Sequence, residues 1–222
     1  MRRLALIPAK KKSVRLTAKN FININKKPLY KYSLNNLIKS KLFNKIHISS
    51  NILVNKKYQD FMRPEKLSKN DTPLLDVIHF VLKEYEKRNE IFDIICLAYA
   101  TSPLINEKDI KKACKKFEAS NKKFPMISVS EYKPSIDEAM LFTDGYVKPT
   151  NKKKFFLDSK KHKKYYFETA SFIFYSAKYF YKKKLSIKNL QTKFFPYILP
   201  REKSVDINTK DDLNFVKKLI NI

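Results

Sequence analysis

Apolar and polar residues follow two different periods along the first 120 residues. Three apolar runs have the length of a strand: RLALIP (residues 3–8), KIHISS (45–50) and IFDIICLAYA (91–100). Such runs are typical of strands that a sheet buries on both faces. Apolar residues recur at helical spacing in PLYKYSLNNLIKSKL, TPLLDVIHFVLKEYEKR and EKDIKKACKKFEAS. The order of these segments predicts strands that alternate with helices.

The rest of the chain adds fewer regular elements. FPMISVSE and ASFIFYS have the pattern of buried strands, and TKDDLNFVKKLI has that of a final helix. We also predict a short helix over residues 54–61. Residues 132–165 lack a clear period and contain Gly145, the only glycine, so we interpret them as an excursion from the sheet.

The alternation of strands and helices predicts an α/β fold, a three-layer α/β/α sandwich around a mostly parallel sheet. No stretch rich in serine or proline divides the chain, so residues 1–222 are interpreted as a single domain. The two cysteines, Cys96 and Cys114, lie in apolar or helical segments and are expected to be reduced core thiols of a cytoplasmic protein. The first apolar run is too short to be a signal-peptide core, and we expect no membrane insertion.

The formal charge of +27 suggests a polyanionic partner. However, the lysines are spread along the whole chain, and Lys, Asn, Ile, Phe and Tyr are abundant together, as in a compositional drift. We therefore interpret most of the charge as a solvated lysine surface and expect no specific nucleic-acid partner. Such a field would still attract a triphosphate and an acidic sugar.

Ligands of parallel sheets bind at the carboxyl ends of the strands, so the loops there are candidates for chemistry. The first of them, IPAKKKSVRLTAKN, combines cations with hydroxyl and amide donors. Phosphate oxygens bind groups of this kind. In a chain so rich in lysine, a basic loop alone is a weak signal.

The loop resembles the nucleotide signature of the acylneuraminate cytidylyltransferase family, which is approximately I-P-A-R-x-G-S-K-x-x-x-x-K-N. The matching residues are Ile7, Pro8, Ala9, Ser13, Lys19 and Asn20. Lys10 replaces the arginine and Lys12 replaces the glycine. The missing glycine matters because a loop around a triphosphate often needs positive φ or a close backbone approach.

The resemblance continues in order along the chain. NKKPLYKYSLNNLIKSKLFNKIHISSN is similar to G-K-P-L, a helix and a strand that ends in S-T-D, with Lys26 for glycine and Asn51 for aspartate. RPEKLSKNDTPLLDVI and YATSPLINEKDI are similar to later family segments. FETASFIFYSAKYF is similar to E-T-G-S-F-Y-x-F, with Ala170 for glycine, and SVDINTKDDL is similar to V-D-I-D-T-x-x-D-L, with Asn208 for the second aspartate.

The resemblance implies a Rossmann-like nucleotidyltransferase fold and a CTP-dependent enzyme that activates a nonulosonic, sialic acid-like sugar. The anomeric hydroxyl of this acidic 2-keto sugar would attack the α-phosphate of CTP, giving the CMP-sugar and pyrophosphate. The implied cofactor is Mg²⁺. The family also implies a homodimer with residues 132–165 as the dimerisation excursion, although these residues could instead form a self-packed flap.

Site residues follow position by position from the same resemblance. The nucleotide would be bound by Ala9, Lys10, Ser13, Arg15, Lys19, Asn20, Arg63 and Thr101. Tyr99, Glu168 and Thr169 would line the sugar side. The metal would be held by Asp206 and Asn208, and the catalytic set would be Lys10, Arg15, Lys19 and Asp206. For Asp71, Asp211 and Asp212 we favour a simpler role as acids near helix N-termini.

Two other interpretations stay open at this point. One is a related sugar nucleotidyltransferase, such as a CMP-Kdo synthetase-like enzyme. The other is a catalytically impaired homologue that acts as a binding protein, because one glycine of the loop and one metal carboxylate are replaced.

Overall fold

The computed structural model describes residues 1–182 and 193–220. The strands are β1 (Arg3–Pro8), β2 (Asn23–Ile24), β3 (Lys27–Pro28), β4 (Lys45–Ser49), β5 (Ile94–Ala98), β6 (Met126–Glu131), β7 (Met140–Thr143), β8 (Tyr146–Pro149), β9 (Tyr166–Ser176) and β10 (Phe195–Ile198). The helices are α1 (Tyr30–Ser40), α2 (Leu74–Glu86), α3 (Glu107–Ala119), α4 (Lys152–Phe155), α5 (Lys178–Lys182) and α6 (Lys210–Ile220). Among the helices in these ranges, none is both long and apolar enough to cross a bilayer.

Six strands form the central sheet in the order β10-β6-β9-β5-β1-β4. β1 pairs in parallel with β4 and β5, and β10 pairs in parallel with β6. β9 is antiparallel to both of its neighbours, β5 and β6. The prediction of a mostly parallel sheet is confirmed. The reversed direction of β9 brings its first residues to the edge where β5 and β6 end.

The two faces of the sheet are covered by different helices because successive side chains of a strand point to opposite sides. Ala5 and Ile7 of β1 belong to the core cluster that includes residues of α1 and α3. Leu4 and Leu6 belong to the opposite cluster, with residues of α2 and α5. The predicted three-layer α/β/α sandwich is therefore confirmed.

A third, smaller cluster holds the last helix against the carboxyl edge of the sheet. Leu213 and Val216 of α6 pack with Ile207, Ile24 and Leu29, and all five side chains are buried. This packing positions the segment just before α6, which carries Asp206 and Asn208.

The predicted helix over residues 54–61 is wrong. This segment contains turns and covers the open side of the edge strand β4, where Ile48 N–H donates to the Tyr58 carbonyl at 2.6 Å. Gln59 braces the turn, since its Oε1 accepts from Val54 N–H at 2.8 Å and its Nε2 donates to the Ile52 carbonyl at 2.8 Å. Hydrogen bonding to the edge strand therefore determines the conformation of this segment, in spite of its local helical pattern.

The excursion predicted for residues 132–165 leaves the sheet after β6 and returns at β9. It contains the antiparallel hairpin of β7 and β8 and the short helix α4. At its base, the Asp137 carboxylate accepts from Tyr165 Oη at 3.1 Å and from Lys163 N–H at 3.2 Å. The hairpin itself is exposed and carries apolar side chains such as Phe142, which is 72% exposed.

The lost glycines differ in their structural cost. Lys26 and Ala170 adopt the left-handed conformation, with φ of 60° and 46°, where the family motif has glycine. Lys12 does not have positive φ, so its side chain is tolerated in the nucleotide loop. A side chain in the left-handed region costs about 1–2 kcal/mol, whereas glycine adopts it freely.

We therefore expect Ala170→Gly to increase the free energy of unfolding by about 0.5–1 kcal/mol, after the entropy that glycine adds to the unfolded chain is subtracted. Urea denaturation of both proteins measures the difference. Ala139→Gly is the matched control because Ala139 has an ordinary φ of −65°, and this variant should be destabilised. Equal destabilisation of the two variants would contradict strain at Ala170.

Candidate active site

A cavity of about 250 Å³ opens at the carboxyl edge of the sheet, beside the ends of β1 and β5. It lies between the loop after β1, the segment before α2 and the turn after β5. Seven of the predicted site residues line it: Lys10, Ser13, Lys19, Asn20, Arg63, Tyr99 and Thr101. The wall also contains Leu67, Lys69, Asn70, Thr72 and Leu74. The structure thus brings most of the predicted nucleotide residues together.

The loop after β1 is held by its own backbone and by side chains. Ala9 is fully buried, and its N–H donates to the Ser49 carbonyl at 2.9 Å. Asn20 Nδ2 donates to the Lys10 carbonyl at 3.0 Å. Because the Ala9 N–H is already bonded, Ala9 supports the loop and does not offer that donor to a phosphate.

Lys10 crosses the cavity to the segment before α2. Its ammonium donates to the Lys69 carbonyl at 3.1 Å and to Asn70 Oδ1 at 2.9 Å. Burial is the main cause of a lowered pKa for Lys10, and the nearby Arg63 lowers this pKa further. Sequence reasoning missed Lys69 and Asn70, although they lie within the segment that resembles the family. Their position between Arg63 and the start of α2 was the available signal.

Arg63 is a cation buried in the cavity wall, only 4% exposed. Its guanidinium donates to the Ser49 carbonyl at 2.7 Å, while its Nε has no partner among the described residues. Burial lowers the pKa of Arg63 to about 10, although Glu65 opposes this shift. A buried guanidinium with free donor capacity is suited to an anionic ligand.

Lys19 is linked to the segment before α6 through an amide. Its ammonium donates to Asn208 Oδ1 at 3.0 Å, and Asn208 Nδ2 donates to Asp206 Oδ2 at 2.7 Å. Burial lowers the pKa of Lys19, and Asp206 offsets part of this effect. The other carboxylate oxygen, Asp206 Oδ1, is buried and has no hydrogen-bond partner in the described part of the chain. Asn208 therefore couples the nucleotide loop to the predicted metal residue.

Tyr99, which lines the cavity, lies near Glu168 and Asp206. The Glu168 carboxylate lies near the Tyr99 hydroxyl, and burial together with this nearby negative charge raises the pKa of Tyr99. Burial also raises the pKa of Glu168, with a smaller contribution from Asp206. Glu168 stays accessible, so the pair presents a hydroxyl and a carboxylate next to the nucleotide cavity.

The expected contact of Thr169 with the sugar is not supported by its position. Its side chain is 1% exposed, and its hydroxyl bonds to Ser128 Oγ at 2.9 Å and Ser171 Oγ at 3.0 Å. Thr169 follows Glu168 on β9, so the two side chains point to opposite faces of the sheet. We correct its role to support of the strand that carries Glu168.

The remaining predicted residues lie at the margin of the cavity. Arg15 is exposed and lines an adjoining cleft of about 230 Å³ that also includes Lys10, Ser13 and Lys19. Thr101 is 6% exposed, and its carbonyl accepts from Ile207 N–H at 3.0 Å, which fixes the turn after β5 to the Asp206 segment.

Asp212 has the simpler role that we favoured. It accepts from Thr209 N–H at 2.8 Å and from Asn208 N–H at 2.9 Å, while Asp212 N–H donates to Thr209 Oγ1 at 3.2 Å. These reciprocal bonds form a capping box at the start of α6. Asp212 is thereby engaged in helix capping.

An α/β sheet with a cluster of cations in a cavity at its carboxyl edge defines a nucleotide-binding class of protein. Two solved structures share the fold over nearly the whole chain. CMP:2-keto-3-deoxy-manno-octonic acid synthetase, solved with CTP, has a TM-score of 0.71 at 12% identity and covers 100% of this chain and 99% of its own. The 2-C-methyl-D-erythritol 4-phosphate cytidylyltransferase of Francisella tularensis has a TM-score of 0.68 at 15% identity, with 99% and 100% covered.

The chain belongs to the cytidylyltransferase family, whose family model matches residues 4–220. The pseudaminic acid cytidylyltransferase of Campylobacter jejuni subsp. jejuni serotype O:2 is 30% identical over 236 aligned positions, which include 100% of this chain and 97% of that protein. The predicted family is confirmed, and the protein is a CTP-dependent nucleotidyltransferase.

The lowered pKa of Lys19 leads to a test by pH. The Lys19 ammonium loses its proton below the ordinary lysine pKa of 10.5, so affinity for CTP should fall as the pH rises through this lowered pKa. Lys19→Arg keeps its charge and should retain affinity to higher pH. Titration calorimetry with CTP across the alkaline range measures both profiles.

Lys108→Arg is the control, because Lys108 is exposed at the start of α3 and lies outside the cavity. Its profile should match that of the original protein. Identical profiles for all three proteins would contradict a role of the Lys19 charge in CTP binding.

Proposed function

We propose that the protein transfers CMP from CTP to the anomeric hydroxyl of a nonulosonic acid, with pseudaminic acid as the first acceptor to test. The observation that carries this proposal is that a cluster of cations suited to phosphates lies next to side chains suited to a sugar. Lys10, Lys19 and Arg63 converge in one cavity, Tyr99 lines the same cavity, and Glu168 and Asp206 lie near Tyr99. The name of the 30% identical relative supports the same acceptor class.

The nucleotide is assigned to the cation-lined cavity. Lys10, Arg15 and Lys19 would bind the triphosphate, with Ser13 as a hydroxyl donor and Arg63 at the buried wall. Displacement at phosphorus requires alignment of the reacting groups and compensation of negative charge more than covalent help from the protein. Cations that are partly desolvated stabilise such charge more strongly than cations in bulk water.

The acceptor is assigned to the region beside Tyr99 and Glu168. There the sugar hydroxyl would attack the α-phosphorus in line, a new P–O bond would form, and the bond to pyrophosphate would break. The attacking hydroxyl releases its proton to water in this step, and the leaving pyrophosphate takes the electron pair of the broken P–O bond. Tyr99 and Glu168 offer a donor and an acceptor that orient the sugar hydroxyl groups.

Mg²⁺ is the proposed cofactor, and the residues fit it. The unpartnered oxygen Asp206 Oδ1 offers a carboxylate ligand. Mg²⁺ commonly binds through one or two carboxylates together with waters and substrate phosphates, so a site with a single carboxylate is sufficient. Bound there, it would neutralise phosphate charge. Asn208 could contribute the second lone pair of its amide oxygen, which now accepts one hydrogen bond, from Lys19.

We further propose that the protein is a homodimer that uses the excursion of residues 132–165. The hairpin exposes Leu141, Phe142, Tyr146 and Val147 by 60–72%, and Phe156 is 72% exposed. A cluster of apolar side chains of this kind marks a protein–protein contact. Light scattering tests the proposal, and a molar mass of one chain, 26.3 kDa, would contradict it. The unpaired, buried Cys96 and Cys114 support a reducing, cytoplasmic location.

The proposed reaction is tested by pyrophosphate release with CTP, Mg²⁺ and a panel of pseudaminic, legionaminic and sialic acids and Kdo. We expect the highest rate with a nonulosonic acid, and with pseudaminic acid first among them. UTP and ATP in place of CTP serve as controls. Preference for Kdo would favour a CMP-Kdo synthetase-like enzyme. No release with any acceptor, together with CTP binding, would favour the impaired homologue.

The metal assignment has its own test. Asp206→Ala should abolish CMP-sugar formation, because it removes the only carboxylate assigned to Mg²⁺. Asn208→Asp adds a second negative oxygen and should lower the Mg²⁺ concentration at half-maximal rate. Asp211→Ala is the control, since this exposed acid lies in the first turn of α6. Full activity of Asp206→Ala would refute the assignment, and an unchanged Mg²⁺ requirement in Asn208→Asp would refute the role of position 208.

A further inference from the structure

The end of β4 and the turn that follows it are hydrogen-bonded to two segments around the nucleotide cavity. The Ser49 carbonyl accepts from Ala9 N–H at 2.9 Å and from the Arg63 guanidinium at 2.7 Å. The Ser50 carbonyl accepts from Arg63 N–H at 2.8 Å. Three bonds from two consecutive carbonyls therefore tie the loop after β1 to the segment before α2.

The next residue of this turn, Asn51, extends the connection with its side chain. Asn51 Oδ1 accepts from Lys11 N–H at 3.1 Å, and Asn51 Nδ2 donates to Glu65 Oε2 at 2.9 Å. The first bond reaches the nucleotide loop, and the second reaches the segment that follows Arg63. One amide thus spans the two walls of the cavity.

The Lys11 N–H belongs to the same peptide group as the Lys10 carbonyl. That carbonyl accepts from Asn20 Nδ2 at 3.0 Å. The peptide group between Lys10 and Lys11 is therefore held at both ends, by Asn20 at its oxygen and by Asn51 at its nitrogen. Since this group is bonded to the Lys10 Cα, holding it limits the direction in which the Lys10 side chain leaves the backbone toward Lys69 and Asn70.

The loop needs such restraint for an electrostatic reason. Lys10, Lys11 and Lys12 are consecutive, and their like charges favour separation of the side chains. Ordering this loop only when the nucleotide binds would reduce the affinity by the conformational entropy that is then lost. A peptide group that is already held avoids part of that loss.

We propose that Asn51 is a positioning residue for CTP: it orients the Lys10–Lys11 peptide group and is itself oriented by Glu65. The inference rests on the proposed function, in which the loop after β1 binds CTP. Asn51 acts through the loop and does not itself contact the nucleotide.

The test is the dissociation constant of CTP in the presence of Mg²⁺, measured by calorimetry on the full chain. Loss of one hydrogen bond that orders the loop should weaken CTP binding about 3- to 10-fold in Asn51→Ala. In the steady state, KM for CTP should rise by the same factor, while KM for the sugar stays constant.

Asn44→Ala is the matched control. Asn44 Oδ1 accepts from Arg3 N–H at 2.8 Å, the same kind of bond at the opposite end of β1. This variant should lose comparable stability and bind CTP as the original protein does. An equal loss of CTP affinity in the Asn44 and Asn51 variants would show a general effect on folding and overturn the proposal.

A double variant provides the rescue. Asn51→Asp keeps an acceptor for Lys11 N–H but places a second carboxylate against Glu65, so CTP binding should weaken. Asn51→Asp combined with Glu65→Gln restores a donor and an acceptor with their positions exchanged, and should return the dissociation constant to within about twofold of the original. This comparison also applies if Asn51→Ala fails to fold.

Two outcomes separate this inference from the proposed function. If the original protein binds no CTP, the proposed function fails and this inference fails with it. If the original protein binds CTP but Asn51→Ala binds it within twofold, or the double variant binds no better than Asn51→Asp, only the role of Asn51 is overturned.

Discussion

The candidate site depends on cations that are held by neutral oxygen atoms. Lys10 donates to the Lys69 carbonyl and the Asn70 amide, Lys19 donates to the Asn208 amide, and Arg63 donates to the Ser49 carbonyl. Within the described residues, none of these three side chains forms an ion pair with a carboxylate. Elsewhere, cations such as Arg3, Lys45 and Lys203 pair with Glu118, Asp60 and Asp109. Neutral partners position a charge without cancelling it, so the charge remains available to phosphate oxygens.

Burying such a cluster of cations costs free energy. The sheet holds the cations together despite this cost. Burial lowers the pKa of all three cations, which means that the folded protein disfavours their charged forms. The parallel register of β1 with β4 and β5 places the loops that follow these three strands at one edge. The cores on both faces fix these strands, so the loops cannot separate to relieve the repulsion. A bound polyanion would reduce this cost, so the arrangement favours a ligand with several negative charges.

The antiparallel strand β9 brings an acidic residue to the site from a different direction than the strands that precede the basic loops. Its first residues reach the carboxyl edge from the opposite direction, and they place Glu168 beside Tyr99 and Asp206. Ser102 Oγ donates to the Ala170 carbonyl at 2.7 Å and ties β9 to the turn after β5. The cations and the Glu168 carboxylate are thus carried by different segments of the chain. In the proposed reaction, one group binds phosphates and the other orients the acceptor.

Sequence patterns predicted the elements that depend on their own periodicity and missed the features that depend on long-range contacts. The strands β1, β4 and β5 and the helices α1, α2 and α3 are apolar at the spacing their burial requires, so the main layers were predictable. Residues 54–61 do not form the predicted helix because they provide a backbone hydrogen-bond partner to the edge strand β4. Local spacing does not encode this contact. Lys69 and Asn70 contact Lys10 across 59 and 60 residues. The error at Thr169 was avoidable, because neighbours on a strand point to opposite faces.

The replaced family residues show which features this site needs. Lysine at position 12 is tolerated because the loop there does not use positive φ, whereas Lys26 and Ala170 occupy the left-handed region. Asparagine replaces aspartate at positions 51 and 208, and both amides use their oxygen and nitrogen atoms in hydrogen bonds. An amide keeps the acceptor of the carboxylate, adds a donor and removes a negative charge. The exchange therefore preserves the connections of the loop while it makes the cavity more positive. In a more positive cavity, the charge of the cations is balanced less by protein carboxylates and more by the anionic substrates.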